Sequence, residues 1–142
     1  MKRNAPIELF WRIHPKLYRW SSGRIGGSLR SLPVLLLTTR GRKTGLLRTK
    51  ALMYLPYGAD FTVFASNLGE PQHPLWWFNL QADPNALVEV GSTQSTVRAR
   101  EAEGDERERL WRAVMEKAPD YDEYQARTPR RIPVVVLERL QP

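Results

Sequence analysis

The sequence predicts an α+β protein, a small barrel of about six mostly antiparallel strands with short helices set between them. Three observations lead there. With 142 residues the chain fits one domain that buries a continuous core. Its apolar, β-rich runs are short and punctuated by glycine, proline, asparagine and aspartate. Helical patterns are too few to stand between every pair of strands, which describes a barrel rather than a doubly wound sheet.

The elements follow in order. From Pro6 to Trp20, Ile7, Phe10, Trp11, His14 and Tyr18 recur at helical spacing while Arg12, Lys16 and Arg19 fall largely elsewhere, and Pro15 interrupts the run. An aromatic face with a basic flank suits a helix lying on an anionic membrane, or one packed over its own barrel, or one that is disordered in isolation. Ser21 to Gly27 reads as a flexible link. The expected organisation is therefore an amphipathic, flexible segment over 1–30 and a barrel domain over 31–142.

Val34 to Leu37 enters a turn bounded by Gly41 and Gly45, and a second run leaves toward Met53, so the pair reads as a hairpin. Tyr57 to Asp60 makes a turn and Phe61 to Ala65 a strand. Ser66 to His73 is a loop of small and polar residues, where strand ends present backbone groups to ligands. Pro74 opens a short helix that carries Trp76, Trp77 and Phe78 in tandem. Adjacent aromatics cannot all face one core, so at least one covers a cleft or the surface. Strands follow at Ala86 to Val90 and Ser95 to Ala102, then a helix from Asp105 to about Lys117, a loop from Pro119 through Gln125, and a last apolar strand from Pro133 to Leu137.

Composition excludes several classes. There is no cysteine, which removes disulfides, thiolate metal sites and a thiol nucleophile. No apolar run approaches the length of a membrane span, and no signal peptide with a small-residue cleavage site is visible. The expectation is a cytoplasmic protein, with attachment to the inner face of the membrane left open. No RNP-type, zinc-knuckle or helix-turn-helix pattern accompanies the basic character, so no nucleic-acid partner is expected.

Charge is distributed unevenly. The chain carries +7, but residues 1–50 hold 12 basic side chains against Glu8 alone, giving +11 and leaving −4 for the remainder. The hairpin concentrates this excess. Arg40, Arg42 and Lys43 sit at its tip, and Arg48 and Lys50 alternate onto one side of the returning strand. No acid lies in the stretch. Five like charges around one small volume make physical sense if a ligand with several negative groups sits among them. A basic tip that merely blocks edge pairing is the bland alternative. A nucleotide P-loop is ruled out because Arg42, not glycine, precedes Lys43-Thr44, and a strand rather than a helix follows.

Other chemistry is thin. Neither His14 nor His73 has acids at metal-ligand spacing, so no metal is expected. Ser66 and His73 share a loop, but no nucleophile-elbow pattern surrounds either. Without a clear acid–base pair, nucleophile or metal, the expected task is to hold a cofactor that carries its own chemistry.

Five motifs then stand in one order: L-L-T-T-R-G-R-K-T-G-x-x-R at 36–48, F-A-S-N-x-G at 64–69, H-P-x-W-x-x-N-L-x-A-x-P at 73–84, Y-D-E-Y-Q-x-R-T at 121–128 and I-P-V-V-V-L-E at 132–138. Together they resemble the deazaflavin-dependent nitroreductase and quinone reductase family. The resemblance implies a split β-barrel of the flavin-reductase, FMN-binding-like type that binds coenzyme F420, an 8-hydroxy-5-deazaflavin with a polyanionic phospholactyl-oligoglutamate tail. It implies an F420H2-dependent oxidoreductase passing a hydride to a quinone, nitroaromatic or other apolar acceptor. By the same resemblance Arg42, Lys43 and Arg48 hold the tail, with Thr44 and Lys50 nearby. Ala65, Ser66 and Asn67 lie along the ring, and Trp76 and Asn79 stand beside the cleft. Tyr121 and Tyr124 cover the acceptor's side, Tyr121 bonding its oxygen while Ser66 or solvent delivers the proton. Members that reduce nitroimidazoles commonly carry Lys and Gly where this chain has Asn67 and Leu68, and Tyr where it has Ala118, so a reshaped acceptor pocket is expected. Rival expectations are an FMN- or haem-binding protein of the same barrel, and a basic anion-binding module without catalysis.

Overall fold

The computed structural model describes residues 28–29 and 32–140, and the predicted N-terminal helix at 6–20 lies outside them. In chain order the elements are β1 (Ser28–Leu29), β2 (Leu32–Arg40), β3 (Leu47–Met53), β4 (Leu55–Tyr57), β5 (Asp60–Phe64), a 3-10 turn (Asn67–Gly69), α1 (Leu75–Ala82), β6 (Asn85–Val90), β7 (Thr93–Glu101), α2 (Gly104–Lys117), α3 (Asp120–Arg127) and β8 (Val134–Arg139). Each strand pairing is antiparallel. The sheet runs β1-β2-β6-β7-β8-β5-β4, with β3 also paired to β2, and it curls into a half-barrel.

The apolar run of β8 shows why the sheet curls around a filled interior. Val135 and Leu137 join Leu35, Leu37, Val63, Val88, Val97 and the helix residues Trp76, Trp77 and Leu80 in one core. Val134 and Val136 face the other way, into a second core with Phe64, Leu110, Val114, Ala118 and Tyr121. Strand side chains alternate sides, so a strand covered on both faces must be apolar throughout. The surface strand β7 alternates instead, with Val97 fully buried between exposed Thr96 and Arg98.

Two expectations are corrected. The 119–125 segment is not a loop but carries α3. Asp120, Asp122 and Glu123 occupy its first turn and Arg127 its last, which complements the helix dipole. Tyr121 packs against Phe64 and Trp111, so tertiary burial sustains a helix whose polar surface reads as a loop. The sheet also holds eight strands rather than about six among the described residues. The added ones are the two-residue β1 and the three-residue edge strand β4. Pro56 lies in β4, where an edge position tolerates its missing N–H.

Candidate functional site

The hairpin joining β2 to β3 folds as its glycines require. The Gly41 N–H donates to the Leu46 carbonyl at 2.7 Å, and the Gly45 N–H donates to the Gly41 carbonyl at 2.8 Å. Gly45 takes φ +77°, a conformation that suits a residue without Cβ. The Thr44 hydroxyl accepts from the Leu46 N–H at 3.1 Å and closes the tip. In register, Arg48 stands opposite Thr39 and Lys50 opposite Leu37.

The tip is anchored to α1 through one side chain. Asn79, almost fully buried, accepts from the Arg42 backbone N–H at 3.0 Å and donates to the Thr39 hydroxyl at 3.0 Å. The Arg42 guanidinium stacks over Phe78, 5.0 Å from the ring centroid. Trp76 and Trp77 enter the core, leaving Phe78 half-buried at the surface, so the tandem aromatics divide as their adjacency demands.

Between hairpin and helix opens a cavity of about 670 Å³, within the usual range for a small-molecule site. Arg42, Lys43, Thr44, Arg48, Lys50, Asn67, Trp76 and Asn79 line it, joined by Thr39, Gln72 and His73. No carboxylate is among the lining residues. Four of the five hairpin cations thus meet, and Arg40 does not. Its guanidinium donates to the Gly45 carbonyl at 3.2 Å, and it lines a separate cavity with Thr38 and Leu47 on the other side of the strand.

Of the remaining sequence-predicted residues, Ala65 and Ser66 are not among those that line this cavity. Ala65 and Ser66 are buried at the end of β5, leading into the 3-10 turn. Asn67 and Leu68 adopt φ 49° and 57°, left-handed values that are uncommon for side chains of this kind. Gly69 brings the turn against α3, since a Cβ there would lie 2.8 Å from the Tyr124 carbonyl oxygen. Tyr121 and Tyr124 lie on α3 and do not line the cavity. Their rings meet edge to face at 5.5 Å. Tyr121 is 5 % exposed, and burial, followed by Tyr124, pushes its phenol up to about 12. Ala118 is buried in the same cluster.

Arg130 is the residue that sequence reasoning missed. Its guanidinium donates to the carbonyls of Ala65 at 3.1 Å, Ser66 at 2.7 Å and Glu70 at 3.0 Å, and contacts His73 Nδ1 at 2.9 Å. Arg127 adds a bond to the Leu68 carbonyl at 3.1 Å. The 65–73 segment is therefore strapped to the chain following α3. No local periodicity marks Arg130, whose partners stand 57 to 65 positions away. Its nearest signal was its place beside two of the five motifs.

Fold and site together define a class: a split-barrel protein with a cationic cavity whose lining holds no carboxylate. The chain belongs to the F420H(2)-dependent quinone reductase family, whose model matches residues 10–139. An F420H(2)-dependent quinone reductase of Mycobacterium tuberculosis (strain ATCC 25618 / H37Rv) is 39% identical over 143 residues, covering 98% of this chain and 95% of that protein. Among solved structures, an F420-H2 dependent reductase, FDR-A, is 41% identical with a TM-score of 0.69, over 75% of this chain and 94% of that one. The haem storage protein HutZ of Vibrio cholerae, 12% identical with a TM-score of 0.58 over 92% of both chains, shares the fold alone.

Proposed function

We propose that the cationic cavity holds reduced coenzyme F420 by its acidic tail, and that the protein catalyses hydride transfer from that coenzyme to a quinone. The observation that carries the reading is the meeting of Arg42, Lys43, Arg48 and Lys50 around a cavity without a carboxylate, in a chain of this family. Phosphate and glutamate groups fit such a donor set. The arginine forks suit bidentate contacts and Lys43 a point charge. Coenzyme F420, when bound, supplies a hydride donor at C5 of its ring.

The protein's own part is binding, orientation and exclusion of water. Asn79 fixes the tip from which Arg42 and Lys43 reach the tail. Ala65, Ser66 and Asn67 offer backbone along the ring, and Trp76 walls the cleft. Tyr121 and Tyr124 cover the acceptor's side. Tyr121 lies in the second core and outside the cavity lining, so its place on the acceptor's side rests on the family motif. With its phenol held at about 12 it keeps its proton at neutral pH, and in that role it would donate a hydrogen bond rather than act as a base. The quinone gains the hydride and one proton, the latter from solvent or through Ser66.

Fluorescence titration tests the binding. Addition of the protein should quench the deazaflavin and leave FMN unaffected; quenching of FMN alone would transfer the proposal to flavin. Stopped-flow oxidation of the reduced coenzyme against quinones, nitroaromatics and enones then ranks the acceptors, with quinones expected first. Asn67 and Leu68 argue against assuming nitro reduction.

Quinones with long tails reside in bilayers, so we also propose that the 6–20 segment rests on anionic membrane. Among the described residues no helix is long and apolar enough to cross one. Flotation with anionic liposomes should depend on residues 1–30, and equal flotation of the truncated protein would remove this part.

A further inference from the structure

We propose that His73 is a hydrogen-bond donor to a carbonyl oxygen held in the cavity, and that Arg130 is the positioning residue that fixes which ring nitrogen carries the proton. This deepens the functional reading above and rests on it for the identity of the oxygen, which both the deazaflavin ring and a quinone can supply.

The geometry begins with the donor count. A guanidinium has only N–H donors, so His73 Nδ1, 2.9 Å from Arg130 Nη1, must present its lone pair. A neutral imidazole accepting at Nδ1 carries its hydrogen on Nε2. A charged imidazole would have N–H groups on both nitrogens and would set a donor against a donor. His73 lines the cavity and Arg130 does not, and with Nδ1 engaged by Arg130 the polar ring atom left to serve the cavity is Nε2.

The ring is also held in place. Its edge-to-face contact with Phe78 spans 5.7 Å, and Phe78 is in turn covered by Arg42. Arg130 is itself braced by the carbonyls of Ala65, Ser66 and Glu70, so its aim at Nδ1 does not depend on a single contact.

The surroundings favour the neutral ring. Arg130 presses from the segment before β8, Arg42 and Lys43 stand on the hairpin side, and the cavity lining has no acid. Glu70 offers Arg130 its carbonyl. Burial first and Arg130 second hold the imidazole below its ordinary titration range. A neutral Nε2–H donor can stabilise negative charge developing on a carbonyl oxygen without giving up its proton. The transferred hydride and proton therefore balance as in the parent reaction, and His73 ends as it began.

Long-range proton–nitrogen NMR on the ligand-free, nitrogen-15-labelled protein reads the tautomer directly. His14 is the one other histidine, and a His14→Gln variant assigns the signals. The expected result is a neutral Nε2–H ring at neutral pH, and an Arg130→Gln variant in which the titration rises toward the ordinary value and the Nε2 preference fades. A charged or Nδ1-protonated ring in the parent protein would overturn the proposal. Should Arg130→Gln fail to fold, the parent spectrum and the His73 variants still decide.

Those variants locate the oxygen. His73→Phe should cost about tenfold, the worth of one hydrogen bond, and His73→Gln, which keeps an amide donor, should recover part of it. A loss in deazaflavin affinity assigns the oxygen to the coenzyme. A loss in kcat/KM for the quinone at unchanged coenzyme affinity assigns it to the acceptor. No change in either overturns the donor role. A parent protein that does not bind F420 would defeat the functional reading instead, while the NMR experiment, made without ligand, would still report on the His73 and Arg130 pair.

Discussion

Arg100 and Arg42 are both exposed arginines on the same sheet system, yet they are treated in opposite ways. Arg100, on β7, donates to both carboxylate oxygens of Glu106 at 2.8 and 2.9 Å and to Glu138 at 2.8 Å. Tyr57 adds a bond to Glu106 at 2.8 Å, so β4, β7, β8 and α2 are joined at one point. Arg42 has Lys43, Arg48 and Lys50 for company around the cavity and a phenyl ring beneath it. A cation surrounded by carboxylates belongs to the frame. Cations gathered without one are, under the proposed function, where the coenzyme's acidic tail completes the charge balance.

The largest expected effect breaks the cationic side. Lys43→Ala combined with Arg48→Ala should weaken coenzyme F420 by about 3 kcal/mol or more, taking roughly 1.5–3 kcal/mol for each hydrogen bond to a charged group. Fluorescence titration measures it, and the parent's affinity should fall steeply with salt. Unaltered binding in the double variant would mean that the tail is held elsewhere.

A smaller effect is expected on the frame side. Glu106→Gln should cost about 0.5–1 kcal/mol of stability, because the ion pair is partly exposed and screened. Its pH dependence has a definite sign. The hydrogen bonds from Arg100, then the one from Tyr57, hold the Glu106 carboxyl at about 2, below its ordinary 4.5. A carboxyl lowered by folding stabilises the protein above the unfolded value and loses that contribution as pH falls through the folded one. The difference in melting temperature between parent and variant should be full above about 4.5 and shrink toward about 2. A difference that grew on acidification would contradict the network.

The smallest effect sharpens the contrast most. In the ligand-free protein, Lys43→Ala with Arg48→Ala should raise stability by about 0.5 kcal/mol, since like charges are being separated, whereas Arg100→Ala should lower it. Thermal melts at low salt give both numbers. Destabilisation by the hairpin variant would show that those cations also serve the frame.

The hairpin was legible in the sequence because its information is local. Gly41 and Gly45 bound the turn, and alternation along β3 puts Arg48 and Lys50 on one side. The same local reasoning overcounted Arg40, which a turn carbonyl captures on the far side of β2. It also took α3 for a loop, because Tyr121 holds that helix through contacts with the rings of Phe64 and Trp111 that local pattern does not reveal. The motifs brought Tyr121, Ser66 and Asn67 forward but not the strap behind them.

What the chain alone determined is the antiparallel sheet of short strands and the accumulation of unbalanced positive charge on one hairpin, because periodicity, turn chemistry and charge are properties of neighbouring residues. What only the tertiary structure decided is how distant segments meet. Asn79 reaches the hairpin tip across 37 positions, and Arg130 finds His73 and the Ala65 carbonyl across 57 and 65. Such contacts depend on how helices seat against the sheet, a choice made by the burial of two cores rather than by any stretch read alone.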